Sequence, residues 1–301
     1  MSASVGAGGT MLREVKHPGV QRAQPYMLAP CQTESHTHTL RAGHSLLDAF
    51  RLAGEAHDLY SAVGRFKGGQ FADLHYVMPA LSSSPDHSVY YSQLYTHPGP
   101  VQIEQASVTL GRKPDGQLWL HCHAAWRDSE GQLQAGHILP DQTILGGSPE
   151  LDISYVRGAA FETLPCPETN FSLFTPVARP EHLSVQAQPE SPKSWIVTLA
   201  PNQNISAVLR AICQELGLTR AVIRGGVGSL VGAILEPEIV VEPFVTEVLI
   251  EEGRIDLSLP AEQQVQLDVI IIDYQHGVHR GRLKPEVNSV LVTFEMVLEA
   301  A

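Results

Sequence analysis

The chain carries the same order of elements twice, and this internal repeat is the strongest constraint on its fold. Residues 36 to 79 and residues 196 to 237 each read as a strand, a turn, a helix, a strand, a glycine turn and another strand. In both predicted helices the apolar residues recur at helical spacing, so each helix has one apolar stripe to bury against a sheet. A chain of 301 residues is long enough for two domains of ordinary size. The repeat therefore predicts two similar domains.

The later parts of the two copies match at one constant separation along the chain. Three pairs of identical residues share that separation: Gly136 and Gly281, Pro140 and Pro285, and Glu150 and Glu295. Between these anchors, both copies read as antiparallel strands. The predicted fold class is α+β, with two tandem copies of an antiparallel β-sheet domain and a helix packed on one face of each sheet.

Two irregular segments set the predicted boundaries. Residues 1 to 34 lack sustained periodicity and are predicted to form an irregular N-terminal arm. Residues 176 to 195 are rich in proline and poor in apolar residues, which is typical of a semi-rigid linker. The first domain is therefore assigned to residues 35 to 175 and the second to residues 196 to 301.

Charge and cysteine usage narrow the function classes. The formal net charge is −12, so the average surface repels phosphate polyanions and nucleic acid is an unfavourable partner. The four cysteines are scattered without a CxxC pair, which indicates reduced thiols. The sequence has neither a secretory leader pattern nor an apolar run long enough to span a bilayer. We therefore expect a cytoplasmic protein without a membrane partner.

Histidines are concentrated in the first half of the chain, where eleven of the fourteen lie before residue 150. His121 and His123 flank Cys122 in a predicted strand, so the two imidazoles point to the same face. The following segment predicts a hairpin with a three-residue loop, residues 129 to 131, that ends on a glycine where a positive φ is needed. This register sets His137 opposite His123 and on the same face, whereas a shift of one residue would turn it away.

A second predicted hairpin, around residues 111 to 116, would set Glu104 opposite His123. A carboxylate there would be a fourth ligand, a group that orients a ligand, or a base acting on metal-bound water. Three histidines with an open position are typical of a catalytic or ligand-accepting Zn²⁺. We therefore predict zinc on His121, His123 and His137, with Glu104 as the candidate catalytic base. The alternatives are a polar surface, or a pocket that binds anions through protonated imidazoles.

Other polar features give weaker signals. His36 and His38 also alternate along a predicted strand, where an exposed strand edge is the favoured interpretation. In the second copy, Leu267, Val269 and Arg282 align with the three histidines, while Glu247 aligns with Glu104. The second copy is therefore expected to pack, cap or assemble rather than to bind metal itself.

The histidine segment HCHAAWRDSEGQLQAGH resembles the PPC domain (plants and prokaryotes conserved, also written PCC). It is similar to the HxH, the acidic-Gly turn and the GGH of that family, and the strand pattern from Glu104 to Gly111 and the strand at Glu150 add to the likeness. The resemblance covers most of residues 36 to 175 and, more faintly, residues 195 to 300. It implies an α+β fold with an antiparallel sheet, trimeric assembly of single domains, and a metal, zinc by preference, on the three histidines.

The chain departs from the family pattern at two places. Gly43-His44-Ser45 stands where the family often has Gly-Glu-Asp at the start of its helix, and the GGH is Ala135-Gly136-His137. The sequence also has no AT-hook, so the DNA-binding label often attached to the family lacks support here. Two function classes follow: a metal-dependent enzyme or small-molecule-binding protein that assembles as a homo-oligomer, and a non-enzymatic regulatory or DNA-binding-type module.

Overall fold

The structure is a computed structural model that describes residues 2–5, 11–57, 59–182 and 193–301. The first half holds α1 (Leu46–Gly54) and the strands β1 (Ser2–Val5), β2 (Met11–Glu14), β3 (Tyr26–Thr39), β4 (Ser61–Lys67), β5 (Gln70–Val77), β6 (Pro79–Leu81), β7 (Val89–Tyr91), β8 (Tyr95–Arg112), β9 (Leu118–Arg127), β10 (Leu133–Ile138), β11 (Ile144–Leu145), β12 (Glu150–Pro165) and β13 (Ser172–Arg179). The second half holds α2 (Ile205–Glu215) and the strands β14 (Ser194–Leu199), β15 (Arg220–Leu235), β16 (Ile239–Asp256), β17 (Val265–Asp273), β18 (Val278–Arg282) and β19 (Val290–Ala300). Short 3-10 helices cover Glu55–His57, Pro180–His182 and Ala261–Gln263.

One large sheet runs through both halves. Its strand order within the described residues is β11-β5-β10-β9-β8-β4-β12-β3-β14-β19-β15-β16-β17-β18, with β13 paired to β12. The pairings are antiparallel except for one parallel position between β12 and β8. The chain is therefore mostly antiparallel sheet, and the helical part of the predicted α+β class amounts to two short helices among the described residues.

The halves use the same strand order. In the first half, β3-β12-β4-β8-β9-β10 follow one another across the sheet, and in the second half β14-β19-β15-β16-β17-β18 do so. Each helix follows the first of these strands and begins at a side-chain cap. The Ser45 side chain accepts from the Asp48 amide, and the Asn204 side chain accepts from the Ala207 amide. The predicted order of strand, turn, helix and strand is thus seen in both halves, but the predicted glycine turn of the second half is an irregularity inside the continuous strand β15.

The prediction of an irregular N-terminal arm is wrong at strand β3. The chain is already extended at Tyr26, and residues 26 to 31 pair with β14 while residues 32 to 39 pair with β12. The strand therefore satisfies the backbone groups that would otherwise form an open edge on each half. Because this pairing depends on partners far away in the sequence, the local composition of residues 1 to 34 did not predict it.

The predicted linker is shorter than expected. Strand β13 continues to Arg179 and β14 begins at Ser194, so both ends of the 176 to 195 segment belong to strands. Residues 183 to 192, the centre of that segment, lie outside the described residues. The division into two domains stays a prediction, because the sheet continues across β3.

The apolar side chains form separate clusters above and below the sheet. One cluster packs α1 on the first half and another packs α2 on the second. A third joins the halves and includes Ala125, Ala135, Leu249 and Ile270. In β9, even-numbered Cys122 packs toward α1, whereas odd-numbered Ala125 faces the second half. His121 and His123 share the odd face, which places them at the junction of the halves.

The cysteines and helices bear on two further expectations. Cys31, Cys122, Cys166 and Cys213 are all buried and unpaired with one another. Burial raises the pKa of the Cys122 thiol well above its ordinary value, so this thiol is an apolar core group. Neither helix of the described segments is long and apolar enough to cross a bilayer.

Candidate metal centre

The β9–β10 hairpin brings the three predicted histidines together. Gly131 has a φ of 76°, and Asp128 Oδ1 accepts hydrogen bonds from the amides of Glu130 and Gln132. The Asp128 turn fixes a register in which His137 lies directly opposite His123, as the sequence predicts. The acidic residue and the glycine of the loop therefore determine which face His137 occupies.

The ring nitrogens converge on one point. His121 Nε2 lies 3.1 Å from His123 Nε2, and His123 Nε2 lies 3.3 Å from His137 Nδ1. All three atoms are within 4.8 Å of one another. A tetrahedral ion with ligand bonds of about 2.0 to 2.1 Å holds its nitrogens roughly 3.3 to 3.4 Å apart. The His121–His123 and His123–His137 nitrogen distances therefore fit the first coordination sphere of a metal ion.

Hydrogen bonds on the far side of two rings direct lone pairs toward this point. His123 Nδ1 lies 2.8 Å from the carbonyl oxygen of Val248, which can only accept, so His123 Nδ1 carries the hydrogen. His121 Nδ1 lies 3.0 Å from Glu295 Oε2 and donates to that carboxylate. The two Nε2 atoms thus face each other with lone pairs. A proton or a cation must lie between them, and a cation also suits the third nitrogen.

The second half supplies an additional carboxylate at the centre. Glu247 Oε1 lies 3.6 Å from both His123 Nε2 and His137 Nδ1. Its other oxygen, Oε2, is buried without a hydrogen-bond partner. A buried acceptor without a partner is costly, so a cation next to this carboxylate satisfies a need that the described residues leave open. Glu247 therefore fits a fourth ligand position or a proton acceptor beside the ion.

Burial and charge set the protonation states of the centre. Burial lowers the pKa of His123 to about 3, so its imidazole is neutral and able to bind metal at neutral pH. Burial also opposes the charged form of His121, but the Glu295 carboxylate outweighs it and raises the pKa of that histidine. Burial acts against ionisation of Glu247 as well, yet the electrostatic interactions with the three facing imidazoles together lower the pKa of the carboxyl. The centre is thus a negative carboxylate facing imidazoles.

Glu104 lies outside this centre, so the predicted pairing with His123 is wrong. Strand β8 pairs with β9 so that Ser107 faces His123, three positions beyond the prediction. Glu104 sits at the irregularity in β8 and forms ion pairs with Arg127 and Arg280. The same shift is seen at the end of the hairpin, where Leu118 pairs with Arg112 and not with Thr109 as predicted, because Gly116 with a φ of 81° ends the loop.

The alignment of the second copy is also corrected. Strand β17 pairs with β18 so that Asp268 lies opposite Arg282, as His123 lies opposite His137. Asp268 therefore occupies the position of His123, and Val269 belongs to the buried face of the strand. Arg282 binds Asp268 through two hydrogen bonds of 2.8 and 2.9 Å, so an ion pair replaces the pair of imidazoles.

Glu247 is likewise not the counterpart of Glu104. The residue at the irregularity of β16 is Glu251, and it binds Arg280 just as Glu104 does. Glu247 and Glu295 were thus missed as partners of the histidines. The available signal is their local surroundings, since each carboxylate is followed directly by apolar residues in its strand, as in TEVLI and FEMVL.

Two cavities reach the histidines. One, of about 140 Å³, is lined by His121, His123 and Glu247 together with Tyr91 and Phe171. The other, of about 330 Å³, is lined by His121 and His137. Tyr91 borders both cavities, and its ring centroid lies 4.9 Å from that of His137. A small molecule could therefore approach the converging nitrogens along an aromatic wall.

Comparisons with known proteins find similarity to solved structures alone. No protein-family model and no curated protein sequence matches the chain. The chain is similar to the PPC protein from Pyrococcus horikoshii, at 15% identity and a TM-score of 0.38, over 49% of this chain and 94% of that chain. It is also similar to a metal-containing protein from Archaeoglobus fulgidus, at 16% identity and a TM-score of 0.39, over 47% of this chain and 92% of that chain. A further similar structure is a candidate DNA-binding protein from Ralstonia eutropha, at 17% identity and a TM-score of 0.37, over 50% of this chain and 94% of that chain.

Proposed function

We propose that this protein binds zinc on His121, His123 and His137 and uses the ion to hold a small-molecule ligand. The observation that carries the proposal is the pair of Nε2 lone pairs 3.1 Å apart, each fixed by a hydrogen bond on the far side of its ring. Such bonds to ligand histidines are a regular feature of metal centres. A ligand set of imidazoles and a carboxylate favours zinc.

The residues around the ion have distinct proposed roles. A bound Zn²⁺ supplies Lewis-acid chemistry to a ligand oxygen. The Glu247 carboxylate is close enough to the histidines to accept a proton from that ligand at Oε2, the oxygen without a partner. Tyr91 and Phe171 bind the apolar part of the ligand and exclude water from the smaller cavity. The arrangement suits a small ligand that combines an oxygen donor with an apolar or aromatic group.

The acidic net charge does not support the alternative function, which is nucleic-acid binding. The chain carries 20 Lys and Arg against 32 Asp and Glu, and its metal cavity is lined mainly by aromatic and apolar side chains. Assembly as a homo-oligomer of trimer type and a cytoplasmic location remain part of the proposal. Sedimentation analysis of the purified chain tests the assembly.

Elemental analysis tests the metal. Wild type, His123→Ala and His44→Ala are purified in parallel without added chelator and analysed by mass spectrometry for bound metals. We expect wild type and His44→Ala, which changes an exposed histidine far from the centre in sequence, to retain zinc. His123→Ala should lose it while keeping the circular dichroism spectrum of the wild type. Equal zinc content in wild type and His123→Ala would contradict the proposal.

A further inference from the structure

A second group of histidines lies on strand β3. Glu34, His36 and His38 alternate along this strand, so their side chains share one face. The 3-10 helix Glu55–His57, which follows α1, places His57 against the same face. The ring centroids of His36 and His57 are 4.2 Å apart, and those of His38 and His57 are 5.3 Å apart. None of these residues belongs to the centre on β9 and β10.

Three donor atoms of this group are within reach of one ion. His36 Nε2 lies 2.7 Å from Glu34 Oε1. The donor atoms of Glu34, His36 and His57 all lie within 4.8 Å of one another. Two imidazoles and one carboxylate are a ligand set that zinc, nickel, copper and iron accept. The side chains of His36 and Glu34 are 32% and 55% exposed, so an ion could reach them directly from solvent.

Neighbouring side chains hold the imidazoles in place. The ring of Tyr155 stacks on His57 with centroids 4.6 Å apart and an interplanar angle of 17°. The Tyr155 hydroxyl lies 3.0 Å from His38 Nε2, and Arg157 donates to the His57 carbonyl oxygen. The ligands thus come from two elements whose positions are fixed by contacts outside the ligand set. Such support lowers the entropy cost of ordering ligands around an ion.

We propose that Glu34, His36 and His57 form a second, solvent-accessible site for a divalent transition-metal ion such as Zn²⁺. An ion there links β3, the strand shared by both halves of the sheet, to the 3-10 helix that follows α1. His38 stands beside the site as a further imidazole, held by Tyr155. The exposure of the ligands predicts weaker and more readily exchangeable binding than at the buried centre of His121, His123 and His137.

Counting ions tests the proposal. Metal-stripped protein is titrated with Zn²⁺ in competition with a chromophoric chelator, at a pH where histidines are neutral. We expect two ions per chain for wild type and for the control His44→Ala, and one ion for His36→Ala and for His57→Ala. Glu34→Gln keeps both imidazoles and should weaken the second ion at least tenfold, which tests the site without removing a ring.

The ion counts show which of the two proposed sites is wrong. A count of two for His36→Ala and His57→Ala, or a wild-type count of one that His36→Ala leaves unchanged, would overturn the second site. A wild-type count that drops on His36→Ala but not on His123→Ala would instead overturn the buried centre and support the second site. Thermal unfolding of each stripped variant shows that it is folded, and if His36→Ala is unfolded, the decision rests on His57→Ala and Glu34→Gln.

Discussion

The His121 imidazole and the Glu295 carboxylate lie 3.0 Å apart, Nδ1 to Oε2, although 174 positions separate them in the sequence. Glu295 stands in β19 of the second half, and its side chain is 1% exposed. Through this contact the half that lacks the three converging histidines sets the tautomer of a histidine in the other half. The two halves therefore build one centre together, and neither contains it alone.

The first prediction concerns this orienting contact. Replacing Glu295 with Gln keeps the size of the side chain but removes its charge, so the ordering of His121 and its basicity both fall. We expect the zinc affinity to drop about 10- to 100-fold, the range found for residues that orient metal ligands. Competition with a chelator measures it. Glu299→Gln is the control, since Glu299 lies on the same strand and pairs with Arg224 instead. Equal losses in both variants would contradict this role.

The second prediction compares Glu247 with Glu104, because the sequence predicted Glu104 at the place beside the histidines that Glu247 occupies. Glu247 faces the histidines, whereas Glu104 pairs with Arg127 and Arg280. Glu247→Gln removes a negative charge from a buried position beside the ion, where charges act strongly. We expect at least a tenfold loss of zinc affinity for Glu247→Gln and no measurable change for Glu104→Gln, by the same competition assay. A loss of zinc affinity for Glu104→Gln alone would contradict this assignment and support the pairing of Glu104 with His123 that the sequence predicts.

The third prediction follows from the burial of His123. Its pKa is lowered from 6.5 to about 3, mainly because burial disfavours the charged ring. Between these values the unfolded chain binds a proton that the folded chain does not, so stability is lost as the pH falls from 6.5 toward 3. At pH 5 this amounts to roughly 2 kcal/mol.

Urea unfolding of metal-free protein measures this effect. Between pH 7 and pH 5, wild type should lose about 2 kcal/mol more than His123→Gln, which has no imidazole to protonate at this position. The comparison between the two proteins removes the contributions of titratable groups outside the centre. Parallel losses in both would show that His123 is protonated equally well in the folded protein.

The sequence predicted the local part of the centre. The turn of Asp128 and Gly131 defined the hairpin, and strand alternation then placed His121, His123 and His137 on one face. Both inferences involve residues close together in the chain, where turn geometry determines the register. The same counting failed for Glu104, because an irregularity in β8 and the true position of the loop at Gly116 shift the pairing.

The remainder of the centre depends on contacts between distant segments. Glu247 and the Val248 carbonyl reach His123 only because the second half packs on the odd face of β9. Strand β3 is extended because it has a partner on each side, one from each half. No local periodicity contains this information, since the same residues would be irregular without those partners.

The last prediction concerns Arg65, whose guanidinium joins the halves. Arg65 in β4 donates to the carbonyl oxygens of Ile250, Ile223 and Gly225, at 3.1, 3.0 and 2.7 Å. Gly225 has a φ of 65° and lies where the pairing of β15 with β19 is interrupted. Its carbonyl oxygen is therefore not part of the regular hydrogen-bond pattern between these strands. Burial lowers the pKa of Arg65 to about 10, which still leaves it charged at pH 7.

Arg65→Met keeps much of the side-chain volume but leaves these carbonyl oxygens without their donor. Each buried group that loses its partner costs about 1 to 3 kcal/mol, so we expect the free energy of unfolding to fall by about 3 kcal/mol or more. Arg224→Met is the matched control, because Arg224 is 45% exposed and pairs with the partly exposed Glu299, a type of pair that contributes at most about 1 kcal/mol. Urea unfolding at pH 7 measures both. Equal, small losses would mean that water replaces the guanidinium at this junction, and that packing alone holds the two halves together.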